Sequence, residues 1–187
     1  MKGALCCARK QPRKEGVVTR EQHWAQGLRD EVNLHRIGLD RGILLPRLKP
    51  LRYHQEITEF AQARVEFMIA SKTYGHRDRD GNMVAARLRA FRSTALPNGF
   101  PVKFATENIA WGTRTSPADL FDDFHRSDIH RRAIENPGYV YTGIGVAFDE
   151  VGGQYYVTDD LHLPEEKRTR TFGPGQMFFC QVFYTPA

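Results

Sequence analysis

Helical periodicity and strand-forming composition are segregated along this chain, and that segregation constrains the fold more than any other feature. Apolar residues at spacings of three and four occupy the first two-thirds; β-branched and aromatic runs occupy the last third. From Trp24 to Leu39 a helix is expected, with Leu28, Val32, His35 and Leu39 on one side and Gly38 and Gly42 closing it. Pro46 and Pro50 mark an extended connection. Residues 52–70 carry the clearest helical stripe (Tyr53, Ile57, Phe60, Ala61, Val65, Met68), with Arg52, Gln55, Glu59, Gln62 and Glu66 opposite. A shorter helix is expected over Val84–Phe91, a turn at Pro97-Asn98-Gly99 and a short strand over Val102–Ala105. Ser116-Pro117 opens another helix, with Ser as cap and Pro in the first turn, ending at Asn136-Pro137-Gly138. Tyr139–Asp149, Gln154–Thr158 and Met177–Tyr184 read as strands, the first two a hairpin through Gly152-Gly153. Residues 160–175, polar and containing Pro164 and Pro174, read as a loop. Helices first and strands last predict an α+β domain with helices packed on a mostly antiparallel sheet.

The chain of 187 residues, 41% hydrophobic and 26% charged, suits one globular domain. No run approaches the roughly 18 apolar residues of a membrane helix. The net charge of +5 is unevenly placed. Seven of the 27 Lys/Arg but three of the 22 Asp/Glu fall in residues 1–30, leaving 20 basic against 19 acidic side chains in the rest. Residues 1–27 therefore read as a basic, disordered leader ahead of a near-neutral domain over 28–187, without the footprint of a nucleic-acid binder. The apolar run Gly3–Ala8 is shorter than the roughly 7–15 residues of a signal peptide, so the leader is a poor secretion signal. Cys6, Cys7 and Cys180 form no disulfide framework and no Cys-x-x-Cys; Cys180 reads as a small core residue.

Three polar residues sit in distinctive strings: His76 in His-Arg-Asp-Arg-Asp-Gly, Glu107 in Glu-Asn-Ile-Ala-Trp-Gly, and His130 at the end of Phe-His-Arg-Ser-Asp-Ile-His. Two imidazoles and a carboxylate converging on one cleft can hold a divalent cation or move a proton. The expected metal ligands are His76 and His130, with Glu107 nearby. Each has a blander reading: a surface or capping histidine, and a structural carboxylate bonded to amides or Arg. The Asp78–Asn82 pattern resembles part of a calcium loop, but Arg89 stands where that loop needs Glu. Gly143-Ile144-Gly145 lies in a strand run and lacks the third glycine of a dinucleotide loop. Ser127 and His130, three apart, share a face if one helix carries both, so Ser127, His130 and Glu107 are candidate catalytic residues for a hydrolytic triad. His125 and His130 are five apart and make a poor pair. His23, His35, His54, His125 and His162 receive no role.

Through these strings the chain resembles the CAP superfamily (the cysteine-rich secretory, antigen-5 and pathogenesis-related group, or SCP domains), in its short bacterial-type branch. Glu31-Val32-Asn33 with His35-Arg36, Leu51 with the 52–70 helix, Gly75-His76 with Asp80-Gly81 and Arg87, Glu107-Asn108-Ile109-Ala110, Phe124 with Ser127, His130 and Arg131, and Gly143–Val146 carry the likeness. The resemblance implies a three-layer α-β-α sandwich with a central cleft in which two histidines and acidic residues hold zinc or magnesium in some members. It also implies secretion. The chain departs from the pattern at Ser127 (a second Glu in animal members), Phe124 (Trp), Thr106 (Gly) and in the aromatic 160–180 insert. The implied function is a non-catalytic binding module for a cation or a small or lipid ligand. The alternatives are a hydrolase using the same cleft and an interaction protein acting through the basic leader.

Overall fold

The computed structural model describes residues 18–38, 48–78 and 80–187. Most of the expected leader, and Leu39, Gly42 and Pro46 of the first connection, lie outside the described residues.

Helix α1 (Arg20–Arg36) starts four residues before the expected Trp24, inside the stretch read as leader. The overlooked signal is a capping box: Thr19 Oγ1 accepts from the Gln22 amide at 3.2 Å, and Gln22 Oε1 accepts from the Thr19 amide at 3.0 Å. Trp24, Leu28, Val32 and His35 form its buried face. After β1 (Arg52–Tyr53), α2 (Gln55–Ser71) buries Ile57, Phe60, Ala61, Val65 and Met68, and stops at Lys72, whose left-handed φ of 50° cannot continue a helix. Then come β2 (Thr73–Tyr74), α3 (Val84–Ala90) and β3 (Val102–Gly112). The expected strand 102–105 thus runs on through Glu107 and Asn108. α4 (Pro117–Arg126) and α5 (Asp128–Ile134) replace one expected helix, because Ser127 is extended (φ −89°, ψ 118°) and breaks it. No described helix is long and apolar enough to cross a membrane.

The last third holds β4 (Tyr141–Asp149), β5 (Gly153–Val157), β6 (Thr169–Phe172) and β7 (Gln176–Pro186). The main sheet has the order β1-β4-β7-β3; β7 runs antiparallel to both neighbours and β1 parallel to β4. The second sheet, β2-β5-β6, pairs β2 parallel and β6 antiparallel to β5. Both sheets are therefore mixed. The expected β4–β5 hairpin does not form. Gly152 and Gly153, at φ 72° and 129°, swing the chain out of one sheet into the other, and the expected 160–175 loop contributes β6 as partner to β5. Helices α2 and α3 cover one face of the main sheet, where Ile57, Phe60, Met68 and Leu88 meet Cys180, Val182 and Tyr184. Helices α1, α4 and α5 cover the other, where Leu28, Val32, Phe121, Phe124 and Ile134 meet Phe179 and Phe183. This is the α-β-α sandwich.

Two local devices set the layer spacing. A Cβ on Gly143 would lie 2.3 Å from the Thr58 amide nitrogen, and one on Gly145 2.3 Å from the Ala61 carbonyl, so α2 rests directly on the β4 backbone. The Val146 amide also donates to Gln62 Oε1 at 3.0 Å. At the end of β4, buried Asp149 accepts from Lys72 Nζ at 2.8 Å and the Tyr155 hydroxyl at 2.5 Å, joining α2, β4 and β5. Burial alone would raise this carboxyl; the Lys72 and Tyr155 hydrogen bonds outweigh it and bring it down to about 2.

Gly145→Val is expected to force α2 off the sheet and destabilise by at least about 1–3 kcal/mol, read as a lower urea midpoint. Asp149 is depressed in the fold, so its stabilisation is complete above the ordinary carboxylate value near 4 and is lost as pH falls towards about 2. Urea midpoints measured down that range should fall less steeply for Asp149→Asn than for the wild type.

Candidate functional site

His76 sits in a turn that is clamped from several sides. Gly75, at φ 138°, has no room for a side chain: a Cβ would lie 2.1 Å from Thr158 Oγ1. The His76 amide donates to Asp159 Oδ2 at 2.6 Å. Arg64 Nη2 donates to the Gly75 carbonyl at 2.5 Å and the Arg77 carbonyl at 3.1 Å, and Arg87 Nη2 donates to the His76 carbonyl at 3.0 Å. The Asp-rich string that follows is a self-closing turn. Asp78 accepts from the Asp80 and Asn82 amides and the Asn82 side chain, at 3.0, 2.8 and 3.1 Å.

Glu107 lies on β3 beneath α3 and is 5% exposed. Its Oε1 accepts from Arg87 Nη2 at 2.5 Å and lies 3.4 Å from His76 Nδ1; its Oε2 accepts from Cys180 Sγ at 3.6 Å. Burial pushes this carboxyl up, but the His76 hydrogen bond and the Arg87 and Arg64 charges outweigh it and hold it below the usual range. Burial pushes the Cys180 thiol well up, with Glu107 adding to the shift. Cys180 is a fully buried core residue.

His130 lies on α5, on the opposite side of β3. Adjacent strand residues face opposite ways, so Asn108 turns to this side and its Nδ2 donates to the His130 carbonyl at 3.2 Å. The His130 ring meets Phe124 edge-on at 4.9 Å. Burial, and secondarily the charge of His76, lower its pKa, so it is a neutral imidazole at neutral pH. His76 and His130 are thus close enough for their ring charges to interact. His130, Ser127, Phe124, Tyr74, Trp111 and Arg114 line an open cavity of about 530 Å³. Trp111 stacks on Phe172 at 4.3 Å, and an Arg114–Asp123 ion pair closes the rim.

The structure therefore brings His76 to Glu107, and His130 and Ser127 to the cavity wall, but does not assemble Ser127, His130 and Glu107. Ser127 occupies the break between α4 and α5 instead of sharing a helix face with His130, and among the described residues no hydrogen bond joins it to His130 or His130 to Glu107. Sequence reasoning missed another gathering. His35, His125 and Glu135, the first two given no role, place their ligand-capable atoms within 4.8 Å of one another. Three helix ends bring them together from positions up to 100 residues apart, and no local spacing signals that.

The family model described as cysteine-rich secretory protein family, CAP, matches residues 30–159. Nothing matches among the curated proteins. Solved structures similar in fold include three bacterial proteins. An extracellular protein containing an SCP domain from Bacillus anthracis is 19% identical with a TM-score of 0.57, over 91% of this chain and 45% of that one. An outer surface protein from Borrelia burgdorferi is 15% identical with a TM-score of 0.55, over 86% of this chain and 90% of that one. A cysteine-rich secretory protein from Staphylococcus aureus is 14% identical with a TM-score of 0.55, over 90% of this chain and 40% of that one. The chain spans less than half the length of the Bacillus and Staphylococcus proteins.

Truncating Arg87 removes the nearest donor, at 2.5 Å, from the buried Glu107 carboxylate. Arg87→Ala is expected to cost about 3–5 kcal/mol, with much of the loss recovered in Arg87→Ala/Glu107→Gln. A double-mutant cycle in urea showing additive effects would mean that the pair does not act as a unit.

Proposed function

The chain belongs to the cysteine-rich secretory protein (CAP) family, and on that footing we propose that it is a non-catalytic binding module. Its cleft takes a small ligand with an apolar body and a polar end. The observation that carries this reading is the division of labour around β3. Glu107, the most acidic-looking feature of the site, is committed to Arg87 in the interior, while the open cavity beside it is walled by Tyr74, Trp111, Phe124 and a neutral His130. Aromatic side chains set among Arg114, Asp123, Ser127 and Gln176 offer a small molecule both apolar and polar contacts. Ser127 has no aligned base, so the cavity supports recognition better than acyl transfer. The extracellular and outer-surface descriptions of the similar bacterial structures support a place outside the cytoplasm.

The donor set fits zinc better than magnesium. His76 and His130 offer imidazole nitrogens, which suit zinc, whereas magnesium seeks oxygen. Glu107 faces His76 and orients that ring from behind. Two protein ligands make a weak, exchangeable site that contributes nothing to folding.

Extraction of the purified protein with organic solvent, followed by mass spectrometry, is expected to recover a bound lipid or small amphipathic molecule from the wild type and little from Trp111→Ala. Equal recovery from both proteins would rule out the cavity.

A further inference from the structure

We propose that His35, His125 and Glu135 form a zinc-binding site separate from the cleft. His35 is in the last turn of α1, His125 in the last turn of α4, and Glu135 caps α5. Both imidazoles turn to the same carboxylate oxygen: Glu135 Oε1 lies 3.0 Å from His35 Nε2 and 3.9 Å from His125 Nε2. The two rings meet edge-on, with centroids 4.7 Å apart. Zinc bound tetrahedrally at about 2.0–2.1 Å needs ligand atoms about 3.3 Å apart. The observed spacings bracket that value, so small rotations of the two part-exposed side chains close the set.

The surroundings look like the supporting shell of a metal site. Arg36, buried beside His35, donates from Nη1 to the Ile134 carbonyl at 2.5 Å and the Asn136 carbonyl at 3.1 Å, which fixes the backbone on both sides of Glu135. Arg131 donates to the His125 carbonyl at 3.2 Å and its Nε lies 3.9 Å from Glu135 Oε2, the oxygen turned away from the imidazoles. It holds two of the ligands in place while leaving Oε1 to the cation. Phe121 closes the apolar side, 5.5 Å from the His35 ring and stacked at 5.7 Å on His125. His35 is 2% exposed, whereas the side chains of His125 and Glu135 are 25% and 31% exposed. The open side admits the ion and leaves a position for water. Two nitrogens and one carboxylate oxygen form a borderline donor set, which selects zinc over calcium or magnesium. The bound ion would clip the end of α1 to the ends of α4 and α5.

The test uses the full chain, stripped with chelator and then titrated with zinc alone. Bound metal is measured directly, and cobalt absorption serves as a coordination probe. His125→Ala and Glu135→Gln change only part-exposed groups, and metal-free thermal unfolding checks that both still fold. Expected are one tightly bound zinc per chain in the wild type and in His76→Ala/His130→Ala, with any weaker uptake confined to proteins that keep His76 and His130, a rise of a few degrees in the thermal midpoint with zinc, and affinity for the tight site at least about tenfold weaker in His125→Ala and Glu135→Gln. No zinc uptake by the wild type would overturn the proposal. So would wild-type affinity in both single variants, or loss of all binding in His76→Ala/His130→Ala, which would assign the metal to the cleft.

Discussion

Strand β7 is the member on which both cores depend. Every residue from Met177 to Tyr184 is at most 2% exposed. Phe178, Cys180, Val182 and Tyr184 serve the α2–α3 layer, and Met177, Phe179 and Phe183 the α1–α4–α5 layer. A strand flanked by partners on both edges and packed on both faces has no solvent side, which explains its nearly unbroken apolar composition. The one amide among these residues, Gln181, reaches Thr142 Oγ1 across the β4 pairing at 3.3 Å, and Thr142 in turn donates to the Val182 carbonyl at 2.9 Å.

The site is the polar consequence of this arrangement. With β7 at the centre, β3 becomes the sheet edge, and its adjacent Glu107 and Asn108 fall on opposite faces. Glu107 enters the α2–α3 side, where Arg87 and His76 meet it; Asn108 enters the other side, where it fastens α5 by the His130 carbonyl. Two neighbouring residues of one strand thereby position both histidines. Neither the carboxylate nor the amide needs to touch a ligand to shape the cleft.

Elements with strong periodicity are legible in the sequence: α2 and its buried stripe, the Ser116-Pro117 start of α4, and the strands over 139–149 and 177–184. What is not legible depends on partners distant in sequence. β3 reads as a short strand because Glu107 and Asn108 interrupt its apolar run, and only tertiary partners neutralise that interruption. Gly152-Gly153 carries a hairpin's composition, yet φ values of 72° and 129° take the chain into another sheet. Ser127 looks helical by spacing, and nothing local announces the break. Of the site, the strings around His76, Glu107 and His130 are visible because each is locally unusual. Arg87 reads as part of the first histidine motif, but its pairing with Glu107 across 20 residues does not show. The His35–His125–Glu135 group is invisible for the same reason, since its members meet only when three helix ends do.

The opposed facing of Glu107 and Asn108 also governs where this chain can change length. A strand has a side-chain period of two, so removing one residue upstream in β3 would carry the carboxylate into the layer of Phe124 and Phe179 and leave Arg87 facing an amide. Between β5 and β6, by contrast, residues 164–167 form a proline-led 3-10 turn with no buried side chain, where added residues cost only a slowly growing loop entropy. Insertions and deletions are therefore tolerated very unevenly: the 164–167 turn can drift in length, while β3 behaves as a fixed reading frame.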